Sequence, residues 1–81
     1  MELMTVFYSK RNGELKAVCL WETTFQEYLP TSWKDYALIW NVVKLPKDEY
    51  VAHHVELFMY DKELGKIFYK VDANPQKYSR N

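Results

Sequence analysis

The side chains in this sequence best able to do chemistry are His53 and His54, Cys19, and the serines Ser9, Ser32 and Ser79. Adjacent histidines suggest a metal ligand pair or an acid–base pair. Residues 51–59 have strand spacing, however, and neighbours on a strand point to opposite faces, so His53 and His54 would not chelate one ion. A zinc site needs three or four ligands, and only Cys19 and scattered carboxylates remain to complete one. Cys19 stands between Ala17 and Trp21 on an apolar strand face and reads as a small buried hydrophobe rather than a nucleophile. The serines fall near a hairpin end, a helix start and the C-terminal segment, so no Ser-His-Asp arrangement can be drawn. Gly13 and Gly65 are single and far apart, which leaves no glycine-rich phosphate loop. The expectation is a chain without catalytic residues, metal or cofactor.

Binding chemistry is better represented. The 81 residues carry 3 Trp, 7 Tyr and 4 Phe, more rings than a small core obviously needs. The segment 33–40 cannot be assigned cleanly to one face. Its rings Trp33, Tyr36 and Trp40 are therefore expected to form an apolar patch beside a sheet edge. Tyr and Trp suit that role, offering large apolar area at low entropic cost and a polar tip that tolerates water. A protein-interaction module follows, with another protein or a second copy of the chain as partner. In a homodimer the same patch would meet itself across a two-fold axis. The rival surface is Lys66-Ile67-Phe68-Tyr69-Lys70. With Phe58 and Tyr60, the residues Lys66, Phe68 and Lys70 would make a ring-bearing basic face for single-stranded nucleic acid, stacking bases and neutralising phosphates.

Charge weighs against that rival. Eleven basic and eleven acidic residues give a net charge of zero, whereas affinity for a phosphate backbone depends on clustered Lys and Arg. The charge is unevenly spread, at +1 over residues 1–21, −4 over 22–61 and +3 over 62–81. That asymmetry could steer a protein partner. One cysteine permits no intramolecular disulfide. With no signal-peptide pattern and no run of about 18 apolar residues, the expected setting is the cytoplasm, away from any membrane.

The elements that must position these residues are mostly strands. Asn12-Gly13 between apolar runs predicts a hairpin with a two-residue type I′ turn. Folding there pairs Tyr8 with Ala17, Phe7 with Val18, Val6 with Cys19 and Met4 with Trp21. Met4, Val6, Tyr8, Leu15, Ala17, Cys19 and Trp21 then share one face. Both faces are apolar, so cover is needed on two sides. A second hairpin turns at Asp61-Lys62-Glu63-Leu64-Gly65. Setting Phe58 opposite Phe68 also matches Glu56 with Lys70, which favours that register over one slipped by a residue. Between the hairpins, Thr24 with Glu27 fits a capping box ahead of a short helix over residues 24–29, stopped by Pro30. Residues 36–45 read as a central strand, with a helical alternative because Trp33, Tyr36, Ala37, Trp40 and Val43 have helix spacing. Residues 47–60 read as strand, against a helical alternative signalled by Pro46, Asp48 and Glu49. The fold class is α+β, mostly β. It has about five antiparallel strands, two hairpins plus a central strand, and one short helix. The sheet is either covered by that helix or curled into a small barrel. Residues 1–72 form one small domain, and 73–81 read as a polar tail.

Overall fold

The computed structural model describes residues 1–72, so the expected tail at 73–81 lies outside the described residues. Among these residues five strands form two antiparallel sheets. Strand β1 (Leu3–Ser9) lies between β2 (Leu15–Cys19) and β3 (Trp40–Pro46), and β4 (Phe58–Asp61) pairs with β5 (Lys66–Tyr69). Three short helices connect them: α1 (Phe25–Tyr28), α2 (Trp33–Ile39) and α3 (Glu49–His53). Single 3₁₀ turns follow at Val55–Leu57 and Lys70–Asp72. The fold is mostly β with some helix, and the sheets do not close into a barrel.

Both hairpins are present, and both differ in register from the sequence expectation for a shared reason. The first turn is not type I′. Gly13 has φ +82°, but no non-glycine residue among those described has positive φ, so Asn12 does not adopt the conformation that turn needs at both central positions. The loop instead closes at Ser9, whose carbonyl accepts from the Gly13 N–H at 2.9 Å while its hydroxyl accepts from the Arg11 N–H at 3.1 Å. The second turn repeats this wiring. The Asp61 carbonyl accepts from Gly65 N–H at 2.7 Å, and its carboxylate accepts from the N–H groups of Glu63 and Leu64. In each, a short oxygen-bearing side chain opens a five-residue turn that ends on a left-handed glycine.

These closures set the pairing. Asp61 opposes Lys66, so Phe58 faces Tyr69 rather than Phe68. The Glu56–Lys70 match does not arise, because both residues lie in 3₁₀ turns outside the strands. In the first hairpin Phe7 opposes Ala17 rather than Val18, and a bulge at Lys16 separates that pair from Tyr8 opposite Leu15. The extra residue rotates the far half of β2 to the other face. Val18 and Leu20 therefore join Met4, Val6, Tyr8 and Leu15. Cys19 passes to the side of Thr5, and Trp21, expected on the richer face, is exposed.

The two faces of the three-stranded sheet are covered separately. On one side Met4, Val6, Tyr8 and Leu15 pack with Val51 of α3 and with Phe58 and Tyr60 of β4. Tyr8 and Tyr60 lie 4.6 Å apart, and the Tyr60 N–H donates to the Gly13 carbonyl at 2.8 Å, which fastens the second hairpin to the turn of the first. On the other side the fully buried Phe7 meets Phe25 edge-on at 5.0 Å and Tyr28 stacked at 5.1 Å. Buried Thr5 directs this cover. Its hydroxyl donates to the Trp21 carbonyl at 2.8 Å and accepts from the Thr23 N–H at 2.9 Å, holding the chain leaving β2 against β1.

The helices correct the remaining expectations. α1 begins as the capping box requires, with the Thr24 hydroxyl accepting from Glu27 N–H at 3.2 Å. The segment 36–45 is neither all strand nor all helix. It is helical through Ile39 and extended from Trp40, where the β-branched pair Val42-Val43 begins to dominate. The expected strand over residues 47–60 is confined to Phe58–Asp61. The Asp48 carboxylate caps α3 by accepting from Val51 N–H at 3.2 Å. Val51 and Val55, four residues apart, share a side in a helix and in a strand alike, so their spacing could not distinguish the two.

Candidate interaction surface

Of the three rings expected to form an exposed patch, Trp33, Tyr36 and Trp40 are each half-buried. Tyr36 and Trp40 are brought together, with centroids 4.5 Å apart, and Trp40 extends the ring cluster to Phe7 at 6.3 Å. Trp33 carries the Lys34 ammonium 5.8 Å from its centroid. None of the three rings is exposed, and Trp40 with Tyr36 against it continues the Phe7 cluster. What they leave outside is aliphatic. Leu38 is 76% exposed and Ile39 56% exposed at the C-terminal end of α2. Sequence reasoning passed over both because it weighed only rings. The available signal was helix geometry: with Tyr36 and Ala37 turned inward, Leu38 and Ile39 fall over Lys34 and Asp35, one turn back on the solvent side.

The turn of the first hairpin lies against this helix end, with the Lys10 N–H donating to the Ile39 carbonyl at 2.9 Å. Ser9, Lys10, Arg11, Lys16, Leu38, Ile39 and Trp40 line an open groove of about 460 Å³. Lys16 is shared with Glu14 at 3.7 Å. Among the described residues Lys10 and Arg11 make no ion pair within 4.0 Å. Among the described residues no carboxylate lines the groove. A second groove, about 540 Å³ between the two turns, carries Lys10, Arg11 and Lys62 but also Asp61 and Glu63, so its field is mixed.

The backbone beside the first groove offers few free donors for strand addition. Lys10 bonding to Ile39 and Lys47 to Glu2 turns the odd-numbered residues of β3 toward β1 and the even-numbered ones outward. Of these outward residues, Trp40 N–H donates to the Tyr36 carbonyl, Val42 N–H donates to Asn41 Oδ1 at 3.0 Å, and Pro46 has no N–H, which leaves Lys44, farther along the strand, presenting its N–H outward. A partner here would bind through side chains.

The residues expected to make a nucleic-acid face do not share one. Phe58 and Tyr60 are buried in the core, on the side of β4–β5 that also carries Ile67. Lys66 and Phe68 project from the opposite side, Phe68 opposite the buried Met59. Lys70 lies in a 3₁₀ turn with its ammonium 3.9 Å from Glu14. The one-residue register difference in the second hairpin is the cause.

His53 is exposed at the end of α3, and His54 stacks on Tyr50 at 4.1 Å with Nδ1 2.9 Å from the Tyr50 carbonyl. Among the described residues no three His, Cys, Asp or Glu side chains gather as a metal site. Cys19 is buried, and that burial pushes its thiol pKa up, away from the thiolate that nucleophilic chemistry uses. Among the described residues no helix is long and apolar enough to cross a membrane. Comparison with protein-family models, curated proteins and solved structures finds no match.

Proposed function

We propose that this chain is a non-catalytic protein-interaction module working in the cytoplasm, and that it binds through the end of α2 and the start of β3. The observation that carries this reading is the pair Leu38 and Ile39. Two large aliphatic side chains face water on a helix end that is itself anchored to the sheet. Exposed apolar area beside charge is the usual composition of a protein contact. The half-buried rings of Tyr36 and Trp40 beneath provide a rigid floor.

A distinct partner fits better than a second copy. An isologous contact over this patch would bring Lys10 and Arg11 of both copies together, and like charges across an interface oppose association. A photo-crosslinking amino acid at position 38, introduced in the source cells, tests the reading. One discrete protein adduct is expected there, and none from the same group at the exposed Lys44 position. Equal adducts at both positions, or none at either, would contradict it.

A further inference from the structure

We propose that the groove between the first hairpin turn and the end of α2 recognises a peptide segment that combines carboxylates with apolar side chains. This rests on the reading of the chain as a protein-binding module and adds the chemistry of the partner. Two observations lead to it. The groove is lined by the apolar Leu38, Ile39 and Trp40 of the α2–β3 junction. It is also lined by the cationic Lys10 and Arg11, which belong to a turn whose backbone bonds to both Ser9 and Ile39.

Charge complementarity selects the occupant. Although the whole chain is neutral, among the described residues this groove is lined by three cations and no carboxylate. Only Lys16 is partly neutralised, by Glu14 at 3.7 Å. Arg11 presents a planar fork that suits a carboxylate in bidentate fashion. An apolar peptide without acids would leave both cations desolvated and unpaired at the contact, which is costly.

Nucleic acid is the less suitable polyanion. Base stacking needs open ring faces, and the ring of this groove, Trp40, is half-buried and already packed on Tyr36 at 4.5 Å. What the groove offers instead is the exposed aliphatic area of Leu38 and Ile39, which packs on apolar side chains better than on bases. At the groove end of β3 the outward N–H groups of Trp40 and Val42 are already bonded to the Tyr36 carbonyl and Asn41 Oδ1, so the segment would lie across the groove by side-chain contacts rather than extend the sheet there.

The test is selection of random peptides on the purified protein, followed by titration of the recovered peptides against the wild type, a K10E/R11E variant and an L38S/I39S variant. All four positions are solvent-facing or lie in a turn, and unchanged unfolding midpoints confirm that the variants fold. The expected result is recovery of peptides rich in Asp or Glu and in Leu, Ile, Phe or Trp. Their affinity should fall about tenfold or more in each variant, and weaken with added salt. Peptides that lose affinity in L38S/I39S but not in K10E/R11E would overturn the acidic specificity and leave the module reading standing. Peptides indifferent to both variants, or no recovery, would overturn both. An oligothymidine that binds as tightly as the peptides and is lost in K10E/R11E would make nucleic acid the occupant and overturn the proposal.

Discussion

Phe7→Ala is expected to cost about 3–5 kcal/mol, enough to leave much of the chain unfolded at room temperature. A core of this size supplies only about 3–5 kcal/mol in total, and no disulfide reinforces it, since Cys19 is the only cysteine. Phe7 is fully buried, and it sits at the centre of a ring cluster that joins β1 to α1 and β3. Truncation removes the stacked and edge-on contacts to Tyr28 and Phe25 together. The four-residue α1 has no buried residue of its own with which to stay docked. Phe7→Leu keeps most of the volume, and should cost about 1–2 kcal/mol while preserving the fold. Urea unfolding of the two variants measures both. A loss below about 1 kcal/mol for Phe7→Ala would mean that α1 does not cover that face.

The two turn glycines should respond very differently to alanine. Both have positive φ, +82° at Gly13 and +71° at Gly65, so each substitution carries a left-handed penalty of about 1–2 kcal/mol. At Gly65 nothing lies within 4 Å of the added Cβ, and the cost should stop there. At Gly13 the Cβ would stand 2.5 Å from the Tyr60 carbonyl oxygen. That oxygen belongs to backbone that is itself bonded to Gly13 through the Tyr60 N–H, so relief requires parting the two sheets. Gly13→Ala should therefore cost about 3 kcal/mol or more. Equal losses at the two positions in denaturant unfolding would show that the second hairpin does not rest on the first turn.

How far the sequence could be read follows from the same turns. The two hairpins and the Thr24 cap were legible because each rests on local chemistry; Cys19 is buried as expected, but on the Thr5 side rather than the Met4–Val6 face. The registers were not. Asn12-Gly13 carries a strong two-residue signal, and it hid the turn that begins at Ser9. Reading Ser9 and Asp61 as matching openings, each four residues before a glycine, would have closed both loops correctly. The bulge at Lys16 had no local marker, since its effect is to bring Val18 and Leu20 to the Met4–Val6 face, and that preference is tertiary. Over residues 33–40 the residue types single out rings that the structure half-buries and pass over aliphatic side chains that it exposes. Trp33, Tyr36 and Trp40 drew attention by size, whereas the helix places Leu38 and Ile39 outward.

The account depends most on that outward placement. Paramagnetic relaxation of side-chain methyl groups by a soluble, neutral gadolinium chelate measures it directly in the free protein. Strong broadening of the Leu38 and Ile39 methyl signals is expected, with the methyls of Val6 and Val51 almost unaffected, as befits 0% and 5% exposure. If Leu38 and Ile39 are shielded as well as Val6, something already covers the end of α2. The binding surface then does not exist.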